Sequence, residues 1–262
     1  MWEERRSRRS SFFLPAGVAQ SHKGGWVVVF GLFGSKVERL KKAVRQRYGQ
    51  HEPRKEAMMR LLQMGDLEAY RAVLSRFTVN CDSPHWDEKE KTWLAKRLSE
   101  RTGDELLMQA LQELLMNGER LNQALGVAEQ LMSAQDYHHW AQQAFEKRLG
   151  DHRAVDACVE LISALGRLGG DAALQAGLAA ISDRTDEVIL AGLAVLEHCQ
   201  GDPLAQALYD LAHDELQMPR VIRRAGRVIT ILELPDPKAR VALPDALSED
   251  FVVQGGRLVA RT

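Results

Sequence analysis

Three cysteines in 262 residues, 6% aromatic side chains and no long apolar run remove several classes of protein at once. Cys81, Cys158 and Cys199 are isolated and odd in number, without the paired spacing of a metal site or a disulfide framework. They read as small apolar residues in a reducing compartment, so the expected location is cytoplasmic. The longest apolar stretch, Trp26 to Phe30 followed by Gly31, Leu32 and Phe33, falls far short of the ~20 residues of a membrane span. Strand-like runs are scarce before residue 228. No glycine-rich phosphate loop follows a strand, and no Ser, His and Asp set stands out, which favours a protein that is not an enzyme.

What is present is helix-forming material. Hydrophobic residues reach 45% and are dominated by Leu and Ala, a balance suited to close helix packing rather than a sheet core. A Gly-Asp dipeptide returns at Gly65-Asp66, Gly103-Asp104, Gly170-Asp171 and Gly201-Asp202, with spacings of 38, 67 and 31 residues. The long gap is close to two repeats, and its midpoint is Gln135-Asp136, where the Asp remains without the Gly. At each dipeptide Gly can end one helix in the left-handed conformation and Asp can cap the next. Two helices per repeat of this length imply a stacked solenoid of about five helix pairs.

The apolar spacing predicts a helix over Ser35 to Tyr48 with Val37, Leu40, Val44 and Tyr48 inward, a second opened by Pro53 and ended by Gly65, and a third begun by Asp66. Thr78 to Asp87 is expected as the longest loop of the helical body. A charged helix from Asp87 to Arg101 should turn Trp86, Trp93, Leu94 and Leu98 to the stack and leave Glu88, Lys89, Glu90, Lys91, Lys96 and Arg97 in water. Asp104 should begin an apolar helix that includes Leu106 and Leu114 and stops at Gly118, with Leu121 to Met132 as its partner. Asp136 to Leu149 and Asp151 to Leu168 follow. After Leu234, Pro235, Pro237 and Pro244 end the helical pattern, and Phe251 to Val253 and Leu258-Val259 read as two strands around Gly255-Gly256. A lone hairpin is marginal in water, so it must dock, as a cap on the open end of the stack. The expected organisation is a disordered or mis-assigned leader over 1–30, a repeat domain over 31–234 and an extended cap over 235–262. Within the leader, Ser7 to Leu14 has an arginine pair ahead of apolar residues, but Pro15 interrupts it and export is not expected.

The clearest repeat reads Leu165-Gly166-Arg167-Leu168-Gly169-Gly170-Asp171, then an Ala-Leu helix, then Asp183-Arg184-Thr185-Asp186-Glu187-Val188 into the next helix. Gly201-Asp202-Pro203 restarts it with Leu204, Ala207, Leu208 and Leu211, followed by Pro219 to Ala225. This resembles the short bacterial form of the HEAT repeat family over roughly residues 53–232, best over 155–228. The resemblance implies an all-α, right-handed superhelical α-solenoid whose concave side is lined by the second helix of each pair. Family proteins often carry an Arg just after the turn Val; Ile189 stands in that place here.

Several proteins similar to this class are enzymes. Deoxyhypusine hydroxylase holds two irons through His-Glu dipeptides, but this chain offers only His51-Glu52, with Glu197-His198 reversed. His138-His139 with Glu146 is no better, because adjacent histidines on a helix diverge by about 100°. The HEAT-like alkylpurine DNA glycosylases combine a basic groove, aromatics and a carboxylate; Trp86, Trp93, Trp140 and Asp82 or Asp87 match in composition, yet residues 61–219 supply few cations on one face. The acidic and cysteine residues of phycobilin lyases are not found. No catalytic, cofactor or metal residue is therefore expected.

Charge is asymmetric: residues 1–60 carry 14 Lys and Arg against 5 Glu and no Asp, leaving 21 basic against 31 acidic in the remainder. Lys36, Arg39, Lys41, Lys42 and Arg45 give the first helix a basic face that suits weak contact with an anionic membrane. Arg220, Arg223, Arg224 and Arg227 follow one another at helical spacing and suit an acidic partner segment, or merely offset Asp210, Asp214 and Glu215. The expected function is a non-catalytic scaffold for an unidentified protein partner, with no specific nucleic acid. The alternatives are a peripheral membrane adaptor and a HEAT-like alkylbase repair enzyme.

Overall fold

The computed structural model describes residues 35–238, 240 and 242–261. The expected leader, with Phe30, Leu32 and Phe33, lies outside the described residues. Thirteen α-helices and one β-hairpin are found among them. In chain order these are α1 (Lys36–Val44), α2 (His51–Met64), α3 (Leu67–Leu74) running into a 3₁₀ turn (Ser75–Thr78), α4 (Pro84–Ser99), α5 (Glu105–Asn117), α6 (Asn122–Leu131) and α7 (Ala134–Arg148). Then come α8 (Val155–Leu168), α9 (Gly170–Ala180), α10 (Asp186–Leu196), α11 (Asp202–Ala212), α12 (Pro219–Ile231), the short α13 (Asp245–Ser248), β1 (Phe251–Gln254) and β2 (Arg257–Ala260).

Local chemistry sets the helix ends. Asp66 accepts from Ala69 N–H at 2.8 Å and Asp104 from Leu107 N–H at 3.1 Å, the side-chain caps the Gly-Asp pattern predicts. Gly65, at φ +65°, ends α2 by donating to Leu61 O. The later dipeptides work differently: Gly169 and Gly201 take the N-cap position, so Asp171 and Asp202 sit inside the first turn, where a carboxylate faces the positive end of the helix dipole. At Asp136 the cap is Ser133, whose hydroxyl accepts from Asp136 N–H at 3.1 Å.

Several expected boundaries move: α2 opens at His51 rather than Pro53, and α8 opens at Val155 rather than Asp151. α1 stops at Val44 and leaves Tyr48 77% exposed, because the carbonyls of Gln46 and Gly49 accept from Arg54 Nη1 instead of continuing a helix. α4 starts at Pro84, before Asp87, since proline fits a first turn whose N–H groups need no partner. The loop predicted over Thr78 to Asp87 shrinks to residues 79–83 and is not the longest of the helical body, since the connections 45–50, 149–154 and 213–218 are each longer.

The helices contact each other in two rows. Along one, α1, α3, α5 and α7 touch in turn; along the other, α2, α4, α6, α8, α10 and α12 do. Leu94, Leu98, Leu107, Leu111, Phe145, Leu161 and Leu165 are fully buried between the rows. Leu106 of the same apolar helix is 42% exposed, because it lies one position from Leu107, which takes the core side of α5.

The hairpin pairs Phe251 with Ala260 and Gln254 with Arg257 around Gly255 and Gly256, whose φ values of +58° and +77° suit a two-residue turn. It docks, as a hairpin must: Leu247, Phe251 and Leu258 are buried with Val221, Ala225 and Ile229 of α12. Tyr209 of α11 fixes the return path, its hydroxyl donating to Leu234 O at 3.0 Å and accepting from Leu258 N–H at 3.3 Å. No helix among the described residues is long and apolar enough to cross a membrane.

Candidate functional site

A groove of about 770 Å³ runs over the N-terminal ends of four successive helices in the even-numbered row. α4 contributes Asp87, Glu88 and Lys91, and the turn into α6 contributes Arg120 and Gln123. α8 contributes Val155, Asp156, Val159 and Glu160, and α10 contributes Glu187 and Leu190. Apolar spacing puts Val155 and Val159 on one side of α8 with Cys158, Ile162 and Leu165; the two valines are half-buried and form the groove floor with Leu190, while Cys158, Ile162 and Leu165 take the core.

Carboxylates hold the groove's walls. Glu160 of α8 accepts from the N–H groups of Leu121 and of Asn122, the latter at 3.1 Å, so one side chain both caps α6 and joins it to α8. Glu187 meets Arg220 of α12 at 3.0 Å. Burial pushes the Asp87 carboxyl up, but hydrogen bonds from Lys91, Arg76 and Cys81 N–H outweigh it and hold the group down at about 2. Glu88 and Asp156 stay exposed at the groove edge.

Beneath the α4 end lies a buried ionic network that the sequence pattern did not disclose. Glu90, expected in water, has a fully buried side chain and accepts from Arg54 Nε at 3.0 Å, Arg76 Nε at 3.0 Å and His51 Nδ1 at 2.7 Å. Arg76, also fully buried, reaches Asp87 Oδ1 at 2.6 Å and Val79 O at 2.7 Å. Lys91, 7% exposed, lies 2.7 Å from Asp87 Oδ2 and 2.8 Å from Asn80 Oδ1. Burial raises the Glu90 pKa, and the bonds from Arg54 and His51 with the charge of Arg76 more than reverse it, so the net direction is down. A signal was available: Glu90 stands four and eight residues before Leu94 and Leu98, on the buried stripe of α4.

The predicted arginine row is largely occupied by the protein itself. Arg220 pairs with Asp186 at 2.9 Å as well as Glu187, and Arg224 pairs with Glu197, tying α12 to α10. Arg223 donates to Ala246 O and Glu249, each at 3.3 Å, tying α12 to the C-terminal segment. Arg227 is exposed and has no ion pair among the described residues. The carboxylates involved are not Asp210, Asp214 and Glu215; Asp210 pairs instead with Lys238, at 2.8 Å, and with Arg240.

On α1, Lys36, Arg39, Lys42 and Arg45 are exposed, and half-buried Lys41 lies 3.4 Å from Glu38. Val44 is buried and Val37 and Leu40 pack against the core, so the apolar side of this helix is covered by protein. Trp86 and Trp93 share α4, whereas Trp140 lies on α7 in the other row; Asp82 is exposed in the loop before α4. No group of three or more His, Cys, Asp or Glu able to hold a metal ion occurs among the described residues. The three cysteines are buried as free thiols, and burial pushes Cys158 up to about 11. No family model, no curated protein and no solved structure matches the chain.

Proposed function

We propose that the helical body is a right-handed, HEAT-like α-solenoid of about five pairs that works as a non-catalytic cytoplasmic scaffold, holding a protein partner in the groove over α4, α6, α8 and α10. The observation that carries this reading is the strip of Val155, Val159 and Leu190 left half-buried at the groove floor, with Glu88, Asp156 and Glu187 along it. Apolar centres rimmed by charge are how protein interfaces are built. The rim is richer in carboxylates than in cations, so it favours a partner segment bearing Lys or Arg. The acidic partner expected from the arginine row has less support, since Arg220, Arg223 and Arg224 already have carboxylates of their own.

The membrane reading is the weaker alternative. An interfacial helix must present its apolar side to lipid, and Val37, Leu40 and Val44 are turned to the core. A repair enzyme needs aromatics and a carboxylate converging on one base, and Trp140 stands in a different row from Trp86 and Trp93. Affinity capture from native lysate with the wild type and with Val159→Arg tests the scaffold. It expects a stoichiometric protein that the variant loses; capture of the same proteins by both would count against it.

A further inference from the structure

A second, smaller cavity of about 280 Å³ opens between α2 and α4, on the side of α4 that does not face the groove. His51, Lys55 and Met58 of α2 form one wall, and Trp86, Lys89 and Trp93 of α4 form the other, with the buried Glu90 at the base. The scaffold reading makes no use of it.

The ring of His51 stacks on the indole of Trp86, with centroids 4.3 Å apart and planes 22° apart. Its Nδ1 is tied to Glu90 at 2.7 Å, so the stack is anchored to the buried network. Lys89 Nζ lies 5.1 Å from the centre of the Trp86 ring and Lys55 Nζ lies 5.6 Å from that of Trp93. Two indoles at the mouth of one cavity therefore each carry a lysine on a flexible stem. Trp86 remains 39% exposed, so part of its indole is open to a ligand at the cavity mouth.

The charge at the base decides which ligand fits. A lone carboxylate there would attract a cation, but Glu90 already receives hydrogen bonds from two buried guanidiniums and an imidazole. Lys55 and Lys89 stand on the cavity walls, and Arg54 and Arg76 lie behind Glu90 as its buried partners. The local field is thus positive, while the walls are aromatic. Indole faces stack on planar rings, and ammonium groups neutralise an attached anion.

We propose that this cavity binds a small free aromatic anion: one ring or two fused rings bearing a carboxylate or phosphate, seated between Trp86 and Trp93 with its charge met by Lys55 and Lys89. The volume lies just below the ~300–1,000 Å³ usual for drug-sized ligands, which limits the ring system to that size.

Calorimetric titration of the full chain with 1-naphthyl phosphate, set against neutral 1-naphthol, tests the assignment. The phosphate binds saturably to one site, and the neutral compound binds at least about tenfold more weakly. Lys55→Gln with Lys89→Gln brings the phosphate down to the level of the neutral compound, and Trp93→Leu weakens both. Arg60→Gln, elsewhere on α2, leaves binding unchanged. Lys89 is exposed and Lys55 half-buried, so an unchanged melting curve of the double variant separates lost binding from lost folding. Absence of saturation up to about 1 mM, equal affinity for the two compounds, or indifference to the lysine changes would each overturn the proposal.

Discussion

Arg76 Nε lies 3.0 Å from Glu90 Oε2, and neither side chain is exposed to water. Glu90 also receives Arg54, so one carboxylate on α4 joins guanidiniums from α2 and from the turn after α3, the latter shared with Asp87. Three elements that are remote in sequence are thereby fixed around the end of α4 that enters both the groove and the smaller cavity.

Removing the shared carboxylate should be far more damaging than removing an exposed one. Glu90→Gln leaves two buried cations under-compensated and is expected to cost about 3–5 kcal/mol. Glu56→Gln, which breaks the exposed pair with Arg60, should cost no more than about 0.5 kcal/mol. Urea denaturation of both variants checks this, and similar midpoints would contradict it.

The network also fixes an acid response. Asp87 is held at about 2, below its ordinary value of 3.8, and Glu90 is likewise displaced downward. A depressed carboxylate stabilises the fold fully above its unfolded value and loses that contribution as pH falls through the folded one. Melting temperature should therefore fall as pH drops from about 4 towards 2, and Asp87→Asn should flatten that fall while lowering stability at neutral pH. Melts across the acid range, wild type against variant, read it directly.

Close helix contact makes a separate prediction. A Cβ on Gly192 of α10 would stand 2.7 Å from Ala180 Cβ and 3.0 Å from the carbonyl oxygen of Gly177 on α9. Alanine is the better helix former by about 1 kcal/mol, yet the backbone oxygen cannot step aside as a flexible side chain would. Gly192→Ala should lower stability, and Gly192→Val should lower it further, by about 1–3 kcal/mol or more. A stabilised Gly192→Ala protein would show that α9 and α10 can separate to admit a methyl group.

Docking of the C-terminal segment depends on one hydroxyl. Tyr209→Phe removes its bonds to Leu234 O and Leu258 N–H while keeping the buried ring. The expected loss is about 1 kcal/mol, with faster amide exchange and proteolysis confined to residues 235–261. Exchange that rises evenly along the chain would contradict this local role.

The helical character, the Asp66 and Asp104 caps and the Gly255-Gly256 hairpin were legible in the sequence, because each rests on neighbouring residues. Glu90, Arg54 and Arg76 were not, since charges on a polar-looking helix read as solvated until partners 36 and 14 residues away are brought to them. The groove was half legible. Val155 and Val159 have the spacing of core residues, and only the neighbouring helices decide that Cys158 and Ile162 take the core in their place. The arginine row on α12 was legible as spacing alone, because its carboxylates come from α10 and from the chain after α13.

A photo-reactive residue placed at Val159 decides whether the groove holds a protein. With the tagged full chain expressed in its native cells, irradiation should yield one discrete protein adduct from position 159. The same residue at exposed Glu146 of α7 should yield none, and Asp156→Lys should suppress the adduct at 159. No adduct from 159, or the same adducts from 159 and 146, would contradict the account.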